Sequence, residues 1–273
     1  MKKKQNKIDL STTMVMGILN LTDNSFYDGN KYNTTEKAIE QARLMIEEGA
    51  SIIDLGAQSS KPGSEEITKE KEWNKLKDVL KAIRDEFKDV LISIDTYRSE
   101  IAEKSINNGA DIINDISAGD LDKKMFSVIA KYNVPYIIMH MQNSPKNMQK
   151  NPVYHNVVED ILSYFENKIK ILKKLEIKNL IIDPGFGFGK TLNHNYEILN
   201  NLDKFKSLKV PILIGTSRKS MIYNLLECKP QSALNGTTVT NTLSLIKGAN
   251  ILRVHDVKEA VECIKITNFA KNK

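Results

Sequence analysis

The sequence predicts a single (β/α)8 TIM barrel, and three observations support this fold class. Eight short, β-branched runs recur along the 273-residue chain. They are almost continuously apolar, which is typical of strands that are buried on both faces of a parallel sheet. About 20 to 45 residues separate successive runs, and most of these segments contain a helical pattern. Strand and helix alternating eight times over this length indicate a (β/α)8 barrel.

The predicted strands follow one another in a regular order. They are "TMVMGIL", "SIIDLGA", "VLISIDT", "DIINDIS", "PYIIMHM", "NLIIDPG", "PILIGTS" and "ILRVHD". Between the fifth and the sixth, apolar residues with a period near 3.6 predict a helix. These residues are Val157, Val158, Ile161, Leu162, Phe165, Ile169 and Leu172. Two helix starts are indicated by an N-cap residue with an acid three positions later. The pairs are Asn33 with Glu36 and Asp256 with Glu259.

A doubly wound open sheet is the main alternative fold. That fold usually has fewer strands and carries a glycine-rich phosphate fingerprint after its first strand. This chain has "NLTDNS" at that point, with no glycine cluster. No linker rich in Pro, Gly or Ser divides the chain, so residues 1–273 are predicted to form one domain.

Composition and charge exclude several classes of function. With 41% hydrophobic residues the chain has enough apolar side chains for a large core, but it has no apolar run of membrane-spanning length. The segment "MKKKQNKIDL" has no apolar region behind its basic residues, so we expect a cytoplasmic protein without a membrane partner. Cys228 and Cys263 stand alone, which indicates neither a disulfide framework nor a zinc site.

The net charge of +6 is spread over helical segments in which lysines alternate with acids, as in "KEKEWNKLKDVLKAIRDEFKD". This pattern is typical of a solvated helix face and does not indicate a nucleic-acid partner. The excess positive charge still draws small anions, such as phosphorylated substrates, toward a cleft.

Polar residues close every predicted strand. The carboxyl ends of barrel strands open into one shared mouth, so these residues form a candidate site. They are Asn20, Asp54, Gln58, Asp95, Asn114, Asp115, His140, Asp183, Ser217, Arg218, Lys219, Arg253 and His255. For His140 we favour simple filling of the barrel. The carboxylates of Asp95 and Asp183 follow buried runs and need partners, either a cation on another strand end or a ligand that offers paired N–H donors.

The glycine-rich segment "DPGFGFGKT" is not a phosphate loop. It lacks the first glycine of a Walker A motif, and its glycines do not complete GxGxxG. A loop that packs against a flat ligand fits better, which makes Phe188 a candidate for substrate binding.

Seven segments in this order resemble the dihydropteroate synthase family over nearly the full chain. They are "MGILNLTDNSFYDG", "DLGAQSSKPG", "SIDT", "INDIS", "DPGFGFGK", "GTSRKS" and "RVHD". The resemblance implies a (β/α)8 barrel, usually a homodimer, of the folate pathway that sulfonamides inhibit. It implies condensation of 6-hydroxymethyl-7,8-dihydropterin diphosphate with 4-aminobenzoate, giving 7,8-dihydropteroate and pyrophosphate, with Mg²⁺ as the cofactor.

The resemblance also implies roles for individual residues on the pterin side. Asp95, Asn114 and Asp183 would bind the edge of the pterin ring, and Lys219 would bind its carbonyl oxygen. Arg253 and His255 would bind the diphosphate, while Asn20 would help to hold it together with Mg²⁺.

On the aminobenzoate side, the resemblance implies contacts from Ser60, Lys61 and Pro62, with Ser220 near the carboxylate. Phe26 would cover this substrate as part of a mobile lid, and Asp28 would belong to the polar network of that lid. Asn20, Asp28, Lys219, Arg253 and His255 are therefore the predicted catalytic set.

Two loops depart from the family pattern, and two alternative functions remain to be considered. The first loop reads "TDNSF" where the family has T-P-D-S-F, and the second reads "SSKPG" where the family has S-T-R-P-G. A methyltetrahydrofolate-dependent methyltransferase shares the barrel and the pterin-binding residues, but it has no use for a diphosphate site such as "TSRKS" with "RVHD". The second rival is a paralogue that binds pterin without turnover.

Overall fold

The computed structural model describes residue 8 and residues 12–21, 31–58, 66–143, 148–149 and 151–271. Within them, eight parallel strands alternate with helices, as the sequence predicts. The strands are β1 (Met14–Asn20), β2 (Ile52–Gly56), β3 (Leu91–Asp95), β4 (Ile112–Asp115), β5 (Tyr136–Met139), β6 (Leu180–Asp183), β7 (Leu213–Ile214) and β8 (Ile251–Val254). The predicted (β/α)8 TIM barrel is therefore confirmed.

The helices lie outside the strands. They are α1 (Lys31–Glu47), α2 (Lys69–Glu86), α3 (Ser99–Asn107), α4 (Met125–Tyr132), α5 (Val157–Lys174), α6 (Leu192–Asn200), α7 (Ser220–Tyr223), α8 (Leu234–Ile246) and α9 (Val257–Lys271), with short 3₁₀ helices at Leu202–Leu208 and Pro230–Ser232. No helix among the described residues is both long and apolar enough to cross a membrane.

The sheet closes on itself. Its order is β6-β5-β4-β3-β2-β1-β8-β7, and every pair is parallel. A parallel bridge between Ile182 of β6 and Ile212, just before β7, joins the two ends, with the Ile182 amide donating to the carbonyl of Pro211 at 2.9 Å. Closure leaves no free strand edge, and it brings the carboxyl ends of all eight strands around one mouth.

Two apolar clusters hold the barrel together. The inner cluster takes one residue from each strand and plugs the amino-terminal half of the barrel. Its members are Met16, Ile52, Leu91, Ile112, Ile137, Ile181, Leu213 and Ile251. The outer cluster joins the other strand faces to the helices. Because the inner plug is apolar and closed, ligands have access only from the mouth.

The local sequence predictions had different outcomes at three helices. All seven apolar residues predicted to line one side of a helix are buried in α5, so that prediction is confirmed. The predicted N-cap at Asn33 is wrong, because α1 already begins at Lys31 and Asn33 lies inside it. Asp256 stands directly before α9, where a helix start was predicted.

Candidate active site

Polar residues occupy the barrel interior just above the apolar plug. Side chains alternate along a strand, so the residue two positions after each plug residue also points inward. These positions are Ile18, Asp54, Ser93, Asn114, Met139, Asp183, Gly215 and Arg253. Most are polar, in a part of the barrel that is otherwise closed to water. The sequence therefore builds a polar chamber on an apolar floor.

Arg253 is the cation at the centre of this chamber. Its Nε donates to Oδ2 of Asp54 at 2.7 Å, and its Nη2 donates to Oδ2 of Asp95 at 2.8 Å. Burial alone would lower the pKa of Arg253, but Asp54 and Asp95 raise it, so the guanidinium stays charged. Burial raises the pKa of Asp95 to about 7, with Arg253 opposing this shift. The sequence left two possible partners for Asp95, a cation on another strand end or a ligand. The structure shows the cation, which is Arg253 at the end of β8.

Asp54 also fixes the amide of Asn114. Asn114 Nδ2 donates to Asp54 Oδ2 at 3.1 Å, the same oxygen that accepts from Arg253. A carboxylate only accepts, so the amide oxygen of Asn114 must face away from Asp54. Asp54 is fully buried, and its Oδ1 has no hydrogen-bond partner among the described residues. The sequence places Asp54 among the strand-end residues of the candidate site but predicts no role for it, and the structure shows that it holds both Arg253 and Asn114.

Asp183 and Lys219 form the opposite wall of the chamber. The amide of Gly185 donates to Asp183 Oδ1 at 2.8 Å, and burial raises the pKa of Asp183 while Lys219 opposes the shift. Lys219 Nζ donates to the carbonyl of Phe186 at 2.6 Å and lies 4.8 Å from the ring centroid of Phe188. Burial lowers the pKa of Lys219 to about 8, with Asp183 acting in the other direction.

The turn after β6 needs glycine to reach this arrangement. Gly185 has a φ of +73°, and a Cβ there would lie 2.0 Å from the carbonyl oxygen of His140. His140 is buried, in keeping with the sequence-based expectation that it fills the barrel.

His140 contacts Lys190, whose ammonium lies 3.1 Å from His140 Nδ1 and donates to the carbonyl of Phe188 at 3.0 Å. Burial lowers the pKa of Lys190 to about 7. Lys190 thus holds the loop that carries Phe188.

Ser217 and His255 face each other beside the chamber, at the ends of β7 and β8. Ser217 Oγ lies 3.0 Å from Nδ1 of His255, and it also accepts from the His255 amide at 3.2 Å. The neighbouring Arg218 pairs with Asp256, its Nε and Nη2 donating to the two carboxylate oxygens. α9 begins immediately afterwards at Val257. A helix N-terminus next to these groups makes this corner suitable for an anion.

Asn20 reaches the same chamber from β1. A Cβ placed on Gly56 would lie 3.5 Å from Asn20 Oδ1 and 3.7 Å from Asp95 Oδ2. The absence of a side chain at Gly56 therefore lets Asn20 and Asp95 converge above β2. Ser220, the first residue of α7, is partly buried.

Other predicted residues are placed elsewhere or lie outside the described residues. Asp115 alternates with Asn114 and points away from the mouth, where it accepts from Ser117, Gly119 and Tyr136. Gln58 accepts from the amide of Ile67 at 2.9 Å. The predicted residues Phe26, Asp28, Ser60, Lys61 and Pro62 lie outside the described residues.

The chamber combines acceptors, donors and cations within one pocket of the barrel. Asp95, Asn114 and Asp183 can accept from the N–H groups of a ligand, and Lys219 and Arg253 can bind oxygen atoms. Together with the anion corner, the fold defines a (β/α)8 barrel enzyme whose site suits a flat, nitrogen-rich ligand with an anionic group.

Comparison with known proteins identifies the family. The profile of the family described as "Pterin binding enzyme" matches residues 16–255. The chain therefore belongs to the pterin-binding enzyme family.

Several of its relatives are named dihydropteroate synthases. The dihydropteroate synthase of Clostridium beijerinckii is 43% identical over 94% of this chain and 94% of its own length. The Yersinia pestis dihydropteroate synthase, solved with a sulfonamide drug complex, aligns with a TM-score of 0.92 and 38% identity over 97% of each chain. The Xanthomonas albilineans enzyme in complex with 7,8-dihydropteroate aligns with a TM-score of 0.87 and 30% identity, over 97% of this chain and 95% of that one.

Proposed function

We propose that this chain is a dihydropteroate synthase. It condenses 6-hydroxymethyl-7,8-dihydropterin diphosphate with 4-aminobenzoate to 7,8-dihydropteroate and pyrophosphate, in folate biosynthesis. The observation that carries the proposal is the cluster of buried and partly buried donors and acceptors in the barrel mouth, formed by Asp95, Asn114, Asp183, Lys219 and Arg253. Relatives at about 40% identity that carry this name support it.

The pterin ring binds in the chamber. Its amino and ring N–H groups donate to Asp95 and Asp183, because a buried carboxylate can accept two such donors side by side. The free oxygen of Asn114 accepts from the same edge, since Asp54 occupies the amide nitrogen. Lys219 donates to the pterin carbonyl oxygen from its position against Phe188. These contacts orient the methylene carbon of the pterin toward the mouth.

The diphosphate occupies the corner formed by Arg253, His255 and the start of α9. Arg253 supplies a charged, planar group with several donors, which suits phosphate oxygens. Ser217 lies against the imidazole Nδ1 of His255, so the ring is held in one orientation. The pyrophosphate that leaves carries negative charge, and groups already aimed at this position stabilise it in the transition state.

Mg²⁺ is the proposed cofactor, and the protein offers it few ligands of its own. Asn20 Oδ1 is an uncharged oxygen ligand in the mouth, of the kind that Mg²⁺ accepts. The described part of the chain has no group of three His, Cys, Asp or Glu residues that could hold a metal by itself. The remaining ligands would therefore come from the diphosphate and water. When bound, the ion supplies further stabilisation of the negative charge on the leaving group.

The chemistry requires little proton transfer from the protein. The bond between the pterin methylene carbon and the diphosphate oxygen breaks first, and its electron pair leaves with pyrophosphate. The resulting pterin cation is attacked by the amino nitrogen of 4-aminobenzoate, which then releases one proton. An arylamine is already unprotonated at neutral pH, so no strong base is needed. Asp95 and Asp183 beside the ring also favour the cation electrostatically.

The aminobenzoate half of the site is proposed from Ser60, Lys61 and Pro62, with Ser220 near the carboxylate and Phe26 and Asp28 from the first loop. Ser220 opens α7 directly after Lys219, so the two substrates would meet at the beginning of this helix. Lysine at position 61 replaces the arginine usual in the family, which changes a planar fork into a single ammonium.

We further propose a homodimer that resides in the cytoplasm. Val239, Leu243 and Ile246 follow each other at helical spacing on α8, and their exposed fractions are 51%, 41% and 58%. An apolar stripe of this kind on a helix surface is typical of a protein interface. A second copy of the chain is the partner implied by the family.

A direct assay tests the proposed activity. Purified protein is incubated with the pterin diphosphate, 4-aminobenzoate and Mg²⁺, and pyrophosphate is measured. We expect release that requires both organic substrates. Protein that binds the pterin but releases no pyrophosphate would instead support the non-catalytic paralogue.

A further inference from the structure

The loop that follows β6, residues 184–190, is held by side chains along its backbone. Each of the four carbonyl groups from Phe186 to Gly189 accepts a hydrogen bond from a side chain elsewhere in the chain or at the end of the loop. In the order of the carbonyls, the donors are Lys219, Gln149, Lys190 and Tyr154. The amide of Gly187 also donates to Oδ1 of Asn195 at 2.7 Å. The conformation of this loop is therefore specified residue by residue.

Lys190 is the buried member of this set that joins two segments. It is 4% exposed. Its ammonium lies 3.1 Å from Nδ1 of His140 and donates to the carbonyls of His140 at 3.3 Å and Phe188 at 3.0 Å. His140 directly follows β5, so Lys190 fastens the loop after β6 to the end of the neighbouring strand. None of the partners of Lys190 among the described residues is a carboxylate.

Stability alone does not explain a lysine at this position. Burial of an ammonium without a paired carboxylate is unfavourable, and burial lowers the pKa of Lys190 to about 7, with Asp183 opposing the shift. Methionine has an unbranched side chain that fills such a space without this cost. What the lysine supplies is one group with three donors, which reaches both segments at once.

Phe188 is the residue through which this arrangement reaches the site. Its side chain is partly exposed, and the centroid of its ring lies 4.8 Å from Nζ of Lys219. A cation over an aromatic face is attracted to it. Lys219 has a flexible stem, so the ring of Phe188 and the carbonyl of Phe186 together fix its ammonium. That ammonium is the proposed donor to the pterin carbonyl oxygen.

We propose that Lys190 is a positioning residue for pterin binding, acting through Phe188 on the ammonium of Lys219. This inference rests on the proposed function. Its two links are the hydrogen bond from Lys190 to the carbonyl of Phe188 and the contact between the Phe188 ring and Lys219. Loss of the Lys190 donors therefore weakens pterin binding only while the aromatic ring at position 188 is present.

A double-mutant cycle tests this dependence. The variants are Lys190→Met, Phe188→Leu and the combination of both, and the Kd of a pterin analogue is measured by calorimetry. In Lys190→Met we expect the Kd to rise roughly tenfold, as for the loss of a hydrogen bond from a charged donor. In the Phe188→Leu background the same change should raise the Kd by less than about twofold, because effects that pass through one shared residue are not additive.

Lys168 provides the matched control. It is the buried lysine of α5, 8% exposed, and its ammonium donates to the carbonyl of Ala118 at 3.0 Å and to Oδ1 of Asp120 at 2.7 Å. Lys168→Met thus makes the same chemical change in a lysine that holds the loop after β4. Whatever its size, the effect of Lys168→Met on the Kd should be equal in the wild-type and the Phe188→Leu backgrounds.

An unchanged Kd in Lys190→Met would overturn the inference, and so would an equal effect of Lys190→Met in both backgrounds, which a general loss of structure would produce. If Lys190→Met does not fold, Tyr154→Phe replaces it. This variant keeps the ring and removes the hydroxyl that donates to the carbonyl of Gly189 at 2.8 Å. A rise in Kd that disappears in the Phe188→Leu background is then expected, and any other result contradicts the proposal.

Failure of the proposed function has a different signature. The wild-type protein would then release no pyrophosphate, whereas the cycle is measured on binding of the pterin analogue and does not depend on turnover.

Discussion

Arg253 and Asp95 form an ion pair across the barrel mouth, with Nη2 donating to Oδ2 at 2.8 Å. The two residues come from β8 and β3, which are separated by β1 and β2 in the sheet. In the proposed function each residue binds a different part of the substrate, Arg253 the diphosphate and Asp95 the ring. The two groups satisfy each other in the structure, and under the proposed function we expect substrate binding to replace part of this pairing with contacts to the ligand.

Asp54→Asn tests whether the ion pair between Asp54 and Arg253 is needed for catalysis. The variant keeps an oxygen that can accept from Arg253 and Asn114, but it removes one of the two charges that pair with the guanidinium. We expect kcat to fall by roughly tenfold or more, as for the loss of a charged hydrogen bond. The KM for aminobenzoate should change little. Steady-state kinetics with each substrate varied separately check this, and an unchanged kcat would argue against a role for Asp54.

Asp183→Asn is expected to abolish useful binding of pterin. The ring N–H groups would lose an ionised acceptor, a contact worth about 1.5–3 kcal/mol. Calorimetry with a pterin analogue measures the loss. Asp111→Asn serves as the control, because Asp111 pairs with Arg84 at the opposite end of the barrel. Wild-type affinity in Asp183→Asn would remove this residue from the site.

Pterin binding should weaken as the pH rises through the pKa of Lys219. Burial lowers that pKa to about 8, so above this pH the free protein holds mostly the neutral amine. The amine must gain a proton to act as a charged donor to the pterin carbonyl, and binding above pH 8 should take up protons. Calorimetry in buffers of different ionisation enthalpy measures this uptake.

Lys219→Arg is the control for this pH dependence. A guanidinium stays charged over the whole range, so the variant should lose the alkaline decline whatever its absolute affinity. The same decline in wild type and variant would assign the titration to another group.

The proposed dimer depends on the apolar stripe of α8. Val239→Glu combined with Ile246→Glu places two charges on this stripe and should yield a monomer, measured by sedimentation. Leu44→Glu on α1 is the control, because Leu44 is 47% exposed and lies elsewhere on the surface. A dimer that survives the double change uses a different face.

The sequence predicts the barrel because its signal is repeated eight times and each repeat is local. Side chains alternate along a strand, so the residue two positions after an inward plug residue also points inward. Asn114, Asp183 and Arg253 each stand two positions after a plug residue. The start of α1 was harder to predict. An N-cap signal at Asn33 is weak, and the helix begins two residues earlier.

Contacts between distant segments account for what the sequence could not predict. The pairing of Arg253 with Asp54 and Asp95 depends on barrel closure, which no local pattern encodes. Lys190 was missed for the same reason, since its partner His140 lies 50 residues earlier in the chain. Asp54 was noticed as a strand-end residue, but only the structure shows that it orients Asn114.

The most direct test of the central claim is a product assay with both substrates present. Wild-type protein, Mg²⁺, the pterin diphosphate and 4-aminobenzoate are incubated, and pyrophosphate and 7,8-dihydropteroate are quantified together. We predict that the two products form in equal amounts, that neither forms when 4-aminobenzoate is omitted, and that Asp183→Asn forms neither. Pyrophosphate released without dihydropteroate, or no product from the wild-type protein, would contradict the assignment.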